Sequence, residues 1–239
     1  VITRGDLPHW YVPWAAHFVT YRLVDTVPVG VLQKLRTKRD RQIATGPAEG
    51  VDWELHRYRQ HKRFFAAYDK WLDQNSSVRW LQSDSVAQII IENLYHHHGI
   101  KYQLFEYTVM PNHVHVLFLP LEPLPLAGDC HVTPKRVGKW NSGHSEEIPD
   151  GASPLSSIMH SIKSYTANAA NRVLARKGRF WQSESYDHWV RDEREFNRIA
   201  EYISYNPVAA NLAKSPAEWP WCSAHDRQHP RTKPLTEWR

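Results

Sequence analysis

Residues 110–119 at the centre of the chain, Met110-Pro111-Asn112-His113-Val114-His115-Val116-Leu117-Phe118-Leu119, carry the main signal for the fold. After the proline, β-branched and aromatic residues alternate with others at a period of two, which predicts a strand. Val114, Val116 and Phe118 fall on one face of this strand and are predicted to turn into the core. His113 and His115 fall on the other face, side by side, where two imidazoles can share one divalent cation.

A pair of histidines separated by one apolar residue is a weak signal by itself, because short strands carry such pairs by chance. A structural pair with satisfied ring nitrogens is therefore an alternative interpretation of His113 and His115. The surrounding chain must decide between a metal site and a structural pair.

The remaining secondary structure follows from hydrophobic period and from capping residues. A strand at 102–109 ends so close to the histidine strand that the two must pair as an antiparallel hairpin. The pattern further predicts a strand at 17–24, helices that begin near 28, 55 and 83, a helix from 153 to about 178, a strand at 186–190, and a helix from 193 that ends before Asn206-Pro207.

Composition limits the class of protein. The chain has 239 residues, a formal net charge of +5 and a sequence pI of about 9.2, a modest excess that does not establish a nucleic-acid partner. Two cysteines do not form a disulfide framework, and no apolar run approaches a membrane span. No signal peptide is recognisable, so we expect a cytoplasmic protein without a membrane partner.

The predicted domain organisation is simple. No internal repeat and no second apolar core appear, so a single domain is predicted over 1–225. Within it, 121–152 is rich in Pro, Gly, Ser and His and is predicted to be a flexible excursion. A loose polar tail is predicted at 226–239.

Tyr165 lies on the helix predicted after the excursion. Ser153 is a natural N-cap and Pro154 suits the first helical position. At about 100° per residue, Tyr165 falls at the edge of the apolar stripe, with its ring packed and its hydroxyl at a polar margin. On spacing alone, a core-edge tyrosine with a satisfied hydroxyl is the simpler interpretation.

Taken together and in order, short motifs over nearly the whole chain resemble the REP-associated tyrosine transposases, a branch of the bacterial single-tyrosine His-hydrophobic-His (HUH) transposases. Each motif is weak alone, and the ordered set is specific. The matching pieces are His9 to Pro13, His17 to Leu23, Met110 to His115, Lys163 to Ala167 with Asn171, Phe180 to Gln182, Tyr186 to His188, Arg191-Asp192, and Tyr202-Ile203 with Asn206 to Val208.

The resemblance implies an α+β fold, a ferredoxin-like antiparallel sheet with helices on one face, and the predicted element order agrees with it. It also implies a bacterial, nucleoid-associated enzyme that cleaves and rejoins single-stranded DNA at repetitive palindromic (REP-like) hairpins. Its metal ligands map to His113 and His115, holding Mg²⁺ or Mn²⁺, and its nucleophile maps to Tyr165. The tyrosine would attack the scissile phosphate and form a 5′-phosphotyrosine link.

Other site residues remain open at this stage. Lys163, Asn171 and Arg172 are candidates for DNA binding. Related transposases place a glutamine ligand four residues after the tyrosine, but that position here is Ala169, which cannot bind a metal. The remaining candidates for a third ligand are Asn168 and His188.

Two other functions stay open, as does the oligomeric state, monomer or homodimer. A non-catalytic DNA or RNA hairpin-binding protein would keep the fold without the chemistry. A metal-dependent hydrolase would use the histidine pair to activate water and leave Tyr165 structural.

Overall fold

A computed structural model describes residues 2–3, 9–75, 77–121 and 153–230. The predicted excursion beyond 121 and the end of the predicted tail lie outside these ranges. The strands are β1 (Ile2–Thr3), β2 (His9–Trp10), β3 (His17–Arg22), β4 (Tyr102–Val109), β5 (His113–Pro120) and β6 (Tyr186–Trp189). The helices are α1 (Val29–Ala44), α2 (Trp53–Asn75), α3 (Asp84–His97), α4 (Pro154–Val173), α5 (Glu193–Ala209) and α6 (Ser223–Gln228).

Four strands form one antiparallel sheet in the order β4-β5-β3-β6. β4 and β5 form the predicted hairpin, with Val109 opposite Val114. One crossover through α3 joins β3 to β4, and a second through α4 joins β5 to β6. This arrangement confirms the predicted ferredoxin-like α+β fold in a single domain.

The larger core lies on the face of the sheet covered by α3 and α4. Val114, Val116 and Phe118 of β5 pack there against Ile90 of α3 and Ile162 of α4. All five side chains are fully buried. The structure therefore confirms the predicted core face of β5.

The opposite face is also covered, which the prediction of helices on one face did not include. Phe18 and Leu117 of the sheet pack there with Phe64 of α2 and with Phe196 and Ile203 of α5. Helices α1 and α2 are an insertion between β3 and α3, and α1 packs against α2. Both faces of this sheet are thus buried, and the histidines of β5 point into the second core.

Two predicted helix ends need correction. α4 ends at Val173, because Ala175 takes a left-handed conformation with φ 49° before Gly178 is reached. α5 does not end before Asn206-Pro207 but continues to Ala209. Proline removes one donor, but the carbonyls of Asn206 and Pro207 still accept from the next turn, so the helix persists. Asn206 consequently remains helical, one turn after Tyr202.

The predicted loose tail begins too early. Residues 226–228 belong to α6, and Asp226 is buried. Its Oδ2 accepts hydrogen bonds from the hydroxyls of Tyr95, at 2.7 Å, and Tyr107. The prediction missed this helix because it is short and packs through polar groups, so the sequence shows no periodic apolar pattern there. Within the described ranges, no helix has the length and apolar content needed to cross a bilayer.

Replacing Asp226 by alanine is expected to lower the free energy of unfolding by about 2–4 kcal/mol, because two buried hydroxyls lose a charged acceptor. Urea unfolding followed by circular dichroism measures this change. Gln228→Ala, at an exposed position on the same helix, is the control and should change little. Equal stability of the two variants would contradict the docking of α6.

Candidate functional site

The histidine pair lies on the face of β5 that is covered by α2 and α5. His113 and His115 are both fully buried. Their Nε2 atoms point toward each other and are 3.0 Å apart. This distance fits either a hydrogen bond in which one Nε2 carries the proton or a cation held between two unprotonated nitrogens.

Asp69 of α2 completes a three-residue group with the pair. Its Oδ1 lies 3.3 Å from His115 Nε2 and 3.8 Å from His113 Nε2. An octahedral ion with bonds near 2.1 Å separates adjacent ligand atoms by roughly 3.0 Å. The three donor atoms lie close to the spacing that one ion requires, and these residues form a group able to hold a metal.

The far side of each imidazole is fixed by a neighbouring side chain. His113 Nδ1 lies 2.6 Å from Asn112 Oδ1, which can only accept, so Nδ1 carries the proton. His115 Nδ1 lies 2.7 Å from Thr20 Oγ1. Such contacts hold the ring orientation and the tautomer of metal-binding histidines. For His113 they leave the Nε2 lone pair directed at the centre of the site.

The protonation states of the site also suit a cation. Burial and the neighbouring His115 lower the pKa of His113 to about 3, so its ring is neutral at physiological pH. Burial alone would raise the pKa of Asp69, but its interactions with His115, His113 and the Tyr202 hydroxyl outweigh that effect and lower it to about 2. A neutral imidazole and an ionised carboxylate are the forms that bind metals.

Two further buried oxygens near the pair accept no hydrogen bond. Among the described residues, Oδ1 of Asp73 and Oδ1 of Asn206 have no hydrogen-bond partner. Asp73 lies one turn after Asp69 on α2, with Oδ1 4.0 Å from His113 Nε2. Buried acceptors without donors are costly. The donor set of imidazoles and carboxylates therefore fits a divalent cation, and it includes the oxygen ligands that Mg²⁺ and Mn²⁺ prefer.

Tyr202 of α5 is the tyrosine that contacts this group. Its hydroxyl donates to Asp69 Oδ2, while Oδ1 of the same carboxylate faces the two imidazoles. Its ring centroid lies 5.4 Å from that of His115. Asn206, four residues later on the same helix, contributes a side-chain hydrogen bond to the hydroxyl. Burial and the charge of Asp69 raise the pKa of Tyr202, so the phenol is protonated in this state.

Tyr165 lies elsewhere. It is on α4, whose buried stripe packs against the opposite face of the sheet, and its side chain is 60% exposed. Asn168 is exposed on the same helix. The sheet therefore separates both residues from the histidine pair, and neither is close to it in this structure.

The other predicted site residues have partners within the fold. Lys163 Nζ donates to the Ser183 carbonyl, and burial lowers the pKa of this lysine to about 8. Asn171 Nδ2 donates to the Gly178 carbonyl. His188 lies on the same sheet face as the pair, but its Nε2 is 3.3 Å from Glu195 Oε1. Of the predicted DNA-binding residues, Arg172 alone is exposed.

Sequence reasoning missed Asp69 and Tyr202. The sequence did contain a signal for Tyr202, because Asn206 provides an amide side chain four residues after it. At the same distance after Tyr165 the chain has Ala169, which provides no ligand atom. Asp69 and Asp73 are carboxylates one turn apart on a helix face that also carries Tyr68 and Leu72. Nothing in the local pattern indicates that this face contacts β5.

The fold and this group define a class of protein: a ferredoxin-like domain with two histidines on a central strand, a carboxylate and a tyrosine around one candidate metal centre. The predicted resemblance to the REP-associated tyrosine transposases is confirmed by a curated relative of that name from Haemophilus influenzae. It is 23% identical over 117 residues, which cover 49% of this chain and 56% of the relative.

A second protein from Haemophilus influenzae, described only as uncharacterised, is 30% identical over 105 residues, 43% of this chain and 53% of its own length. The chain thus spans about half the length of the curated relatives it matches. No family model matches the sequence. A solved structure of a REP-associated tyrosine transposase bound to a REP hairpin overlays with a TM-score of 0.48 and 14% identity, covering 98% of this chain and 95% of that chain.

Proposed function

We propose that this chain is a metal-dependent enzyme that nicks and rejoins single-stranded DNA at REP-like hairpins, with Tyr202 instead of Tyr165 as nucleophile. One observation carries the proposal: the carboxylate that faces the histidine pair also accepts the hydrogen bond of the Tyr202 hydroxyl. The resemblance supports REP-associated DNA as the substrate class, because the curated relative is named a REP-associated tyrosine transposase.

The proposed metal ligands are His113, His115 and Asp69. A Mg²⁺ or Mn²⁺ ion bound there would polarise the scissile phosphate and offset its developing charge. Asn112 and Thr20 hold the imidazole rings in the orientation that binding needs. Asp69 keeps the Tyr202 oxygen beside the same point, so the nucleophile is positioned before the substrate arrives.

The reaction conserves the phosphodiester energy. The Tyr202 oxygen forms a bond to phosphorus, its proton leaves to solvent, and the bond between phosphorus and the 3′ oxygen breaks with its electron pair on that oxygen, which takes up a proton from water. The 5′-phosphotyrosine link can then be attacked by another 3′-hydroxyl. No nucleotide hydrolysis is needed for joining.

Substrate access requires a movement, since the two histidines are fully buried beneath α2 and α5. This burial also favours a second candidate function, a non-catalytic protein that binds hairpin DNA or RNA and uses a cation only to hold α2 against the sheet. The hydrolase alternative differs from both in releasing free cut strands.

Incubation with Mn²⁺ and an end-labelled hairpin single strand, followed by denaturing electrophoresis, separates these functions. We expect a labelled band at the mass of protein plus DNA, abolished by chelation with EDTA. Cut DNA without a protein-linked band would favour the hydrolase. Retardation on a native gel without any cleavage would favour the binding protein and contradict the proposal.

A further inference from the structure

A cluster of charged side chains surrounds Glu195 at the start of α5, and we propose that it binds phosphate groups of the DNA strand that enters the candidate site. The inference rests on the proposed function and names the surface over which the strand runs. We call this set the Glu195 cluster; it consists of Tyr58, Lys62, His188, Arg191, Glu195 and Arg198.

Glu195 is almost fully buried and contacts each of the three cations. Arg191 Nε lies 2.9 Å from Oε2 and its Nη2 lies 3.2 Å from Oε1. Arg198 Nη2 lies 3.2 Å from Oε1, and Lys62 Nζ lies 3.9 Å from it. A single carboxylate is neutralised by one cation, so the cluster carries more positive charge than Glu195 offsets.

The neighbouring charges do not remove this excess. Asp192 is a further carboxylate that interacts with Arg191, and its Oδ1 accepts from the Glu195 backbone N–H as the cap of α5. Three permanent cations thus face two carboxylates at the N-terminal end of a helix, which itself attracts anions. The pKa of Lys62 is lowered by burial and by Arg198, the direction expected where positive charges are crowded together.

The cations remain available to a ligand. The exposed side-chain fractions are 43% for Lys62, 36% for Arg191 and 55% for Arg198. Arginine has five N–H donors, and the contacts with Glu195 use only part of them. Each side chain is therefore held on its inner side and has donors left for an incoming phosphate.

Tyr58 makes the cluster rigid. The guanidinium of Arg191 lies over its ring with Cζ 3.5 Å from the centroid, and Lys62 Nζ lies 5.1 Å from the same centroid. The Tyr58 hydroxyl donates to Glu195. Cations fixed in this way lose little freedom when they bind a phosphate, so the site is pre-organised.

The position of the cluster links it to the candidate site. Lys62 lies seven residues before Asp69 on α2, and Arg198 lies four residues before Tyr202 on α5. At 1.5 Å per residue these separations are about 10 Å and 6 Å along the helices. Side chains of the two helices meet here: the Phe65 and Tyr202 ring centroids are 6.2 Å apart, and the Tyr202 hydroxyl donates to Asp69. A strand whose scissile phosphate reaches Tyr202 can thus place neighbouring phosphates on the cluster.

Binding of a labelled hairpin single strand tests the inference, measured by fluorescence anisotropy over a salt series without divalent metal, so that no cleavage occurs. Arg198→Gln and Lys62→Gln are each expected to weaken binding about fivefold at low salt. Each should also make the log–log salt slope less negative by about 0.7, the contribution of one phosphate contact on single strands. Thermal unfolding of each variant shows that the fold is intact.

Lys177→Gln is the matched control, because Lys177 is exposed and follows α4, which covers the opposite face of the sheet. We expect it to bind with wild-type affinity and slope. Unchanged binding by both cluster variants, or an equal loss in the Lys177 variant, would overturn the inference. Failure of the proposed function gives a different result. If the variants show these slope changes but the protein never forms a covalent adduct, the phosphate-binding surface is supported and the nicking chemistry is contradicted.

Discussion

Tyr202→Phe is expected to abolish the covalent protein–DNA adduct, with a loss of cleavage rate on the order of 10⁴-fold or more, because the variant lacks the attacking oxygen. The hydrogen bond to Asp69 disappears with the hydroxyl, while the aromatic ring and its packing against His115 remain. Hairpin binding should therefore stay close to wild type. A quenched-flow or time-course assay with Mn²⁺ and an end-labelled hairpin measures the rate.

Tyr165→Phe is the matched control, since it removes a hydroxyl from an exposed tyrosine on the other side of the sheet. We expect its cleavage rate to stay within about threefold of wild type, as is usual for surface substitutions of small effect. The opposite pattern, with activity lost in the Tyr165 variant and kept in the Tyr202 variant, would show that α4 carries the nucleophile after a rearrangement or from a second copy of the chain.

The second large effect is expected on metal binding. His115→Ala should weaken Mn²⁺ binding on the order of 100-fold or more, because it removes a direct ligand, and loss of an outer partner alone costs 10- to 100-fold. Isothermal titration of the purified protein without DNA measures the affinity. In the wild type, Mn²⁺ at about 100 times its Kd should raise the free energy of unfolding by about 2.7 kcal/mol, and the variant should lose this gain.

Asp69→Asn and Asn168→Ala complete that experiment. Asp69 provides an oxygen 3.3 Å from His115 Nε2, so its amide variant should also bind Mn²⁺ weakly while keeping a similar side-chain volume. Asn168 is exposed on α4 and should have no effect. Tight binding that survives both His115→Ala and Asp69→Asn would rule out this group as the metal site.

The extent to which the sequence determines the fold can be judged from β5 and α5. The period-two pattern of 113–118 correctly separated the core face from the histidine face, because side-chain alternation is a local property of a strand. Hairpin pairing of β4 with β5 followed from their short connection. The predicted end of α5 was wrong, because the backbone N–H groups of Ala210 and Leu212 donate to the carbonyls of Asn206 and Pro207 and keep the helix intact through Pro207.

The candidate site was harder to predict because it joins elements far apart in the chain. Helical spacing placed Tyr165 at the border of an apolar stripe, but it carries no information on which face of the sheet the helix covers. Asp69 belongs to an inserted helix, and its partners are 44 and 46 residues further on. Such contacts depend on tertiary packing, and only the amide spacing of Tyr202 and Asn206 was readable locally.

The insertion formed by α1 and α2 has a consequence for the proposed reaction. α2 supplies Asp69 to the candidate metal centre and Lys62 to the Glu195 cluster, and it also covers the histidines. A DNA strand that approaches Tyr202 must therefore displace part of this helix or of α5. Local opening of one helix is within the range of free energies that native proteins sample.

The most direct test of the central claim is to locate the DNA on the protein. The wild-type adduct formed with Mn²⁺ would be treated with nuclease and protease, and the peptide that retains a nucleotide phosphate would be sequenced by mass spectrometry. The account predicts a phosphotyrosine-linked nucleotide at Tyr202. A nucleotide attached at Tyr165, or at any other residue, would contradict it.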